Sequence, residues 1–161
     1  MAKVSTVWKS NQFTKEAAAK KDKRQKPAKK PYTIPGLEER VLLAKLVLEE
    51  SLETIGALGC QVDRHTYEVR AGISDTVDNQ EKIIDGACDL IYVATGVLTA
   101  MNVPDLPHLT EVCKANDRKF PDGKIAKWDA ATGKYLKPDG WKGPDHLKVK
   151  KKVLAKAKKK K

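Results

Sequence analysis

An all-α fold, a bundle of four or five helices, is what this sequence predicts, and three features predict it. Leu37–Gly59 and Asp78–Met101 each run for five turns or more without a proline and are rich in Leu, Val, Ile and Ala. A third, shorter helical stretch begins near Leu106 or His108 and runs to Arg118 or Lys119. Proline and glycine turn chemistry fills the rest, with room for one small hairpin.

Taken in order, residues 1–36 read as a basic N-terminal arm. "KEAAAKK" favours a short helix, because Ala, Glu and Lys are all helix formers. Pro27, Pro31 and Pro35 then bar a long one. The first long helix opens at Leu37 and ends at Gly56 or Gly59. Residues 60–79 are mixed, with a short helix expected around "HTYEVRAG". The second long helix has Asp78 as N-cap and Glu81 three residues on, and "NVPDLP" closes it. Beyond residue 119, Ile125–Trp128 and Lys134–Leu136 are expected to pair across "DAATG", with Trp128 facing Tyr135. The lysine-rich tail, 148–161, is expected to be disordered or a frayed helix. Residues 37–147 form the expected catalytic domain between the basic arm and the tail.

Charge follows the same division. Residues 1–34 carry ten Lys/Arg and two acids, and residues 148–161 carry nine Lys and no acid. Residues 35–147 carry 13 basic and 19 acidic residues, so an acidic middle lies between basic ends. The ends can give salt-sensitive, non-specific contact with nucleic acid. They lack interleaved aromatics, so a sequence-reading role is not expected. Three widely spaced cysteines, Cys60, Cys88 and Cys113, suit a reducing compartment better than a disulfide frame. The longest chargeless run, Leu90 to Pro104, is too short to cross a bilayer. No apolar leader follows Met1, and a cytoplasmic protein is expected.

The chemistry lies in "LVLEESLETIGALG". Each helical residue turns the chain by about 100°. Counted from Glu49, Glu53 is therefore rotated by about 40° and Glu50 by about 100°. The three share one sector with Leu42 and Leu46. Leu48, Leu52 and Ile55 occupy the opposite side. A helix apolar nearly all round belongs at the centre of a bundle or an oligomer, so a homodimer or tetramer is expected. Three buried carboxylates need a neutraliser. A divalent cation is the economical one, because Mg²⁺ and Mn²⁺ take oxygen ligands and side chains one turn apart converge. The second helix repeats the pattern, with Asp85 and Asp89 at i and i+4 and Val93 and Gly96 continuing their stripe. Alternatives are a solvated acidic face, or buried ion pairs with arginines from elsewhere. A di-iron site would need E-x-x-H pairs, and His65, His108 and His146 lack that context.

E-E-x-x-E on one helix and an acid pair on the next resemble the all-α nucleoside triphosphate pyrophosphohydrolases. The likeness is closest to phage and bacterial MazG-like proteins, which share a pattern similar to "NDRKFPDGK…GKYLKPDGWKGPD". It covers about Ile34 to Asp145. The resemblance implies a MazG-like bundle that cleaves a nucleoside triphosphate to monophosphate and pyrophosphate with Mg²⁺ or Mn²⁺, one to three ions per site. It places Glu49, Glu50, Glu53 and Asp89 on the metal. The usual second motif is E-x-x-D. Here Gly86 stands in the glutamate's place, with Asp85 one residue earlier as a substitute ligand. Glu49 or Glu50 is the expected base for the attacking water. Lys119 is the expected phosphate-facing catalytic cation, with Asn116 beside it and Arg118 equally readable as an ordinary helix-surface residue. Tyr92 and Trp141 can stack on a base or serve as core. The likeness favours deoxynucleotides, guanine foremost, and the host cytoplasm if the protein is phage-encoded. A nucleic-acid-binding bundle that has lost its activity is the competing reading, and Gly86 keeps it open.

Overall fold

A computed structural model of the protein describes residues 3–21, 28, 30–72, 80–120 and 127–159. Among them, five helices and two short hairpins follow in the order α1 (Thr6–Lys21), α2 (Leu37–Ala57), β1 (Cys60–Val62), β2 (Val69–Ala71), α3 (Gln80–Ala100), α4 (Asp105–Asp117), β3 (Trp128–Asp129), β4 (Lys134–Tyr135) and α5 (His146–Lys158). The all-α class holds. The chain divides into two compact units, Thr6–Val103 and Met1–Ser5 with Pro104–Lys161.

In the first unit α2 and α3 form an antiparallel pair. Thr54, late in α2, lies against Gly86, early in α3. At the other end Thr33, just before α2, donates its N–H to the Met101 carbonyl at 3.3 Å. Glu38 and Glu39 in the first turn of α2 complement the helix dipole. Gly59 stops the helix at φ 72°, a left-handed position that glycine adopts without a Cβ penalty. Helix α3 is long and apolar enough to cross a membrane by length and composition. In the structure it packs against both α1 and α2, and its Thr95, Gly96, Thr99 and Ala100 are buried.

The short helix expected around "KEAAAKK" in the arm is 16 residues long, Thr6–Lys21. Packing explains the difference, since most helical stability in proteins is tertiary. The Trp8 indole N–H donates to the Val103 carbonyl at 2.7 Å. Asn11 is buried, and its amide donates to Tyr92 O at 3.0 Å and Val7 O at 3.2 Å. Phe13 of the same helix is exposed. The short helix expected around "HTYEVRAG" is instead a hairpin, in which Cys60 pairs with Ala71, Gln61 with Arg70 and Val62 with Val69. The Asp63 carboxylate makes the turn by accepting the N–H groups of His65 and Thr66, at 2.8 and 3.0 Å. Asp78, the expected N-cap of α3, and Ile125 of the one hairpin expected lie outside the described residues.

In the second unit Asp105 is 1 % exposed and is satisfied by Ser5, whose backbone N–H reaches it at 3.0 Å and whose hydroxyl donates as well. Trp128 pairs with Tyr135 as expected, ring centroids 5.0 Å apart, and Phe120 meets the same tyrosine at 5.1 Å. The tail expected to be disordered or frayed is helical through residue 158. Asp145 caps that helix by accepting the Lys148 N–H at 2.8 Å.

α5 packs on α4 where His108 Nδ1 and His146 Nδ1 lie 3.1 Å apart. His108 is 8 % exposed, and burial, then the neighbouring imidazole, lowers its pKa. A lowered folded-state value means the folded protein binds a proton less readily than the unfolded chain. The pairing is therefore fully stabilising above the ordinary histidine range near 6.5 and weakens as pH falls through it. The protection of α5 amides, taken relative to their intrinsic exchange rate at each pH, is expected to fall between pH 7.5 and 5, and His108→Phe to blunt that dependence. An equal fall in the variant would sink this account.

Candidate active site

The acidic residues come from two helices that touch. α2 carries Glu49, Glu50 and Glu53, and α3 carries Asp85 and Asp89. Glu50 lies where the charge of each of the other four acts on it. Its carboxyl is half-buried and is held above the usual carboxylate range by lost water first. The negative charges of Asp89, Glu53, Glu49 and Asp85 follow in that order. No Lys, Arg or His lies within 4 Å of any of the five among the described residues. The alternative of ion pairs with arginines therefore finds no support in that part of the chain.

One expectation is corrected. Glu49, Glu53, Asp85 and Asp89 are exposed in the single chain, where a shielded pocket was expected. The physical reason lies in α2 as a whole, which has no buried residue. Leu42, Leu48 and Leu52 are as open as the acids, at 43 %, 59 % and 47 % exposure. The apolar stripe is real, but this chain covers neither side of it completely.

The close approach of the helices is set by Thr54 and Gly86. The Thr54 hydroxyl turns back to the Glu50 carbonyl at 2.7 Å. A Cβ at position 86 would lie 3.0 Å from Thr54 Oγ1 and 3.2 Å from Thr54 Cα. Glycine therefore stands at the departure from E-x-x-D because α2 occupies the space that a side chain would need. Asp85 and Asp89 flank this close approach. Sequence reasoning treated Gly86 as a gap in the motif and missed Thr54; the small-residue pairing is the signal that could have found both.

Tyr92 lies one turn from Asp89 and faces α1, with its hydroxyl 3.1 Å from the Thr14 hydroxyl. Lys15 of α1 pairs with Glu39 of α2. α1 thus runs along α3, antiparallel to it, since Trp8 meets Val103 and Asn11 meets Tyr92.

Asn116 and Lys119 belong to the other unit, so the acids and the expected phosphate ligands come from separate units. Asn116 is exposed near the end of α4, and Lys119 is half-buried just beyond it. Lys119 Nζ lies 5.9 Å from the Trp141 ring centre and Lys137 Nζ at 4.7 Å. Trp141 anchors its loop by donating to the Ala115 carbonyl at 2.8 Å. Arg118 holds the same loop through the Lys142 and Gly143 carbonyls, at 3.2 and 3.3 Å, and meets Glu111 at 3.4 Å.

The donor set suits a hard divalent cation. It is all oxygen, carries up to five negative charges and, among the described residues, lacks a protein cation beside it. It is not a finished cage, for among the described residues no three His, Cys, Asp or Glu are arranged to hold a metal ion. Mutual repulsion of like charges opposes such convergence.

A helical hairpin that brings two acidic clusters together defines the class as a MazG-like, all-α pyrophosphohydrolase type. The comparison with known families agrees. Residues 14–119 match the model described as phosphoribosyl-ATP pyrophosphohydrolase, and the chain belongs to that family. The match begins inside α1 and ends at Lys119, so it spans the α2–α3 acids. A comparison with curated proteins returns no match. The family is one of nucleotide pyrophosphohydrolases, which makes a hydrolase the coarse assignment.

Proposed function

We propose that the protein hydrolyses nucleoside triphosphates to the monophosphate and pyrophosphate with Mg²⁺ or Mn²⁺, and that Glu49, Glu50, Glu53, Asp85 and Asp89 hold the cation. The observation that carries this reading is the gathering of five carboxylates about Glu50 with no protein cation beside them among the described residues. A triphosphate brings about four negative charges to this acidic face, so binding needs a positive bridge. A bound divalent ion supplies that bridge and acidifies a coordinated water. Either Glu49 or Glu50, whichever the metal leaves unsaturated, takes the water's proton. Lys119 and Asn116, in the other unit, are assigned to the phosphates by the family resemblance alone and by no contact with the acids. Tyr92, engaged by Thr14, closes one flank of the substrate face through α1.

A second copy of the chain is proposed to complete the site. Besides the exposed leucines, α2 and α3 border an apolar groove of about 550 Å³ lined by Leu43, Val47, Leu48, Val97 and Met101. On α2 this face lies opposite the acids, so an oligomer can cover it without blocking them. Light scattering is expected to give a multiple of 17.8 kDa; a monomer at micromolar concentration would remove this part of the proposal.

The deciding experiment is a substrate panel. All NTPs, all dNTPs and phosphoribosyl-ATP are incubated with Mg²⁺ or Mn²⁺, and pyrophosphate is measured. Release from nucleoside triphosphates, highest with dGTP or GTP, is expected. Phosphoribosyl-ATP, the compound in the matched family's description, is the rival substrate. Exclusive turnover of it would replace the triphosphate reading, and no turnover of any compound would end both.

A further inference from the structure

All of the protein's excess positive charge belongs to one of its two units. The Thr6–Val103 unit holds fourteen Lys/Arg and fourteen Asp/Glu, so its net charge is zero. The unit of Met1–Ser5 with Pro104–Lys161 holds eighteen Lys/Arg and seven Asp/Glu, so all +11 charges lie there. Within that unit, α4 and α5 border an open groove of about 800 Å³. Five lysines line it: Lys3, Lys114, Lys152, Lys156 and Lys159. None has a carboxylate within 4 Å among the described residues. Among those residues Glu111 is the only acid lining it, and Arg118 and the Asp145 N–H already engage that carboxylate. The floor is aliphatic, made by Leu106, Pro107, Val149 and Val153.

We propose that this groove docks a single strand of nucleic acid, with lysines on the backbone phosphates and the aliphatic floor under the bases. Lys152, Lys156 and Lys159 fall at i, i+4 and i+7, on one side of the helical turn. The rise along α5 is about 1.5 Å per residue, so they space their charges by roughly 4.5–6 Å, near the phosphate repeat of an extended strand. A duplex hides its bases and would leave the floor wet. A membrane surface is disfavoured by the rest of α5. Lys148, Lys150, Lys151 and Lys158 continue the charge around the helix, whereas a surface-lying helix needs one broad apolar face. The groove makes no use of the acidic residues of α2 and α3, so the inference stands or falls separately from the proposed hydrolysis.

The test uses the full chain and a fluorescent 20-nucleotide oligo-dT, titrated at several salt concentrations. The wild type is expected to bind, with affinity falling steeply with salt. Lys152→Gln with Lys156→Gln, inside the groove, is expected to weaken binding at least tenfold. The salt slope should fall by about 1.4, at roughly 0.7 for each phosphate no longer neutralised. Lys151→Gln with Lys158→Gln removes the same charge from the other side of α5 and is expected to cost under threefold. Circular dichroism checks that both variants keep their helices. Equal losses in the two variants would reduce the effect to bulk charge and overturn the groove. Tighter binding of a duplex of the same length would overturn the single-strand assignment. Groove-dependent sedimentation with phosphatidylserine vesicles, without oligonucleotide binding, would replace it with a membrane surface.

Discussion

Glu53→Gln is expected to lower pyrophosphate release by at least about a hundredfold while leaving the helices in place. The substitution keeps shape and removes one of five clustered charges. Glu53 is exposed and is one of the four carboxylates whose charge acts on Glu50. Removing it eases repulsion in the metal-free protein, so the melting temperature there is expected to stay the same or rise slightly. A bound divalent ion is worth several kcal/mol to the reaction. A tenfold change in rate corresponds to about 1.4 kcal/mol, which sets the hundredfold floor. Thermal melts with and without Mn²⁺ separate loss of the site from loss of the fold. Metal that binds only the folded chain raises the melting temperature of the wild type. The variant is expected to lose much of that rise. Release within threefold of wild type, together with an unchanged Mn²⁺ shift, would remove Glu53 from the site.

The two long helices were legible because each is a proline-free apolar run, long enough to leave few other structures open, and each forms a helix of 21 residues. The acid clusters were legible for a related reason: carboxylates at i, i+1 and i+4 conflict with the leucines around them. Where the sequence misled, partners distant in the chain decided the outcome. The arm reads as a short helix because Trp8, Asn11 and Thr14 have no local partner in the sequence pattern. The structure supplies Val103 for Trp8 and Tyr92 for Asn11 and Thr14, all far along the chain. The hairpin at 60–71 was hidden by a stretch too short for its periodicity to separate strand from helix, and the Asp63 turn settled it. The expectation that the acids are buried came from reading apolar neighbours as buried neighbours. Leu48 and Leu52 show that an apolar stripe can be open in one chain and still suit an interface.

Gly86→Ala tests the same helix pair from its packing side, and its sign is informative. In an exposed helix interior, alanine is about 1 kcal/mol more favourable than glycine. At position 86 the new methyl would press on Thr54 Oγ1 at 3.0 Å and Cα at 3.2 Å. Overpacking of this kind costs about 1–3 kcal/mol, so the net change is expected to be destabilising by about 1 kcal/mol and to lower the melting temperature by about 2–4 °C. Gly56→Ala supplies the contrast. Gly56 is also helical but has nothing within 4 Å of an added Cβ, so its substitution is expected to stabilise. Thr54→Ala combined with Gly86→Ala removes the hydroxyl but leaves the backbone of residue 54 in the way, so partial recovery is expected. Gly86→Glu would restore the E-x-x-D spacing with Asp89, yet it must carry the same Cβ. It is expected to melt lower still and to release less pyrophosphate, because α3 can admit that side chain only by moving Asp85 and Asp89 away from Glu50. Stabilisation by Gly86→Ala equal to that of Gly56→Ala would mean that the helices do not meet there. A gain in turnover from Gly86→Glu would mean that the chain lacks a ligand it can accommodate, and Asp85 would lose its assigned place on the metal.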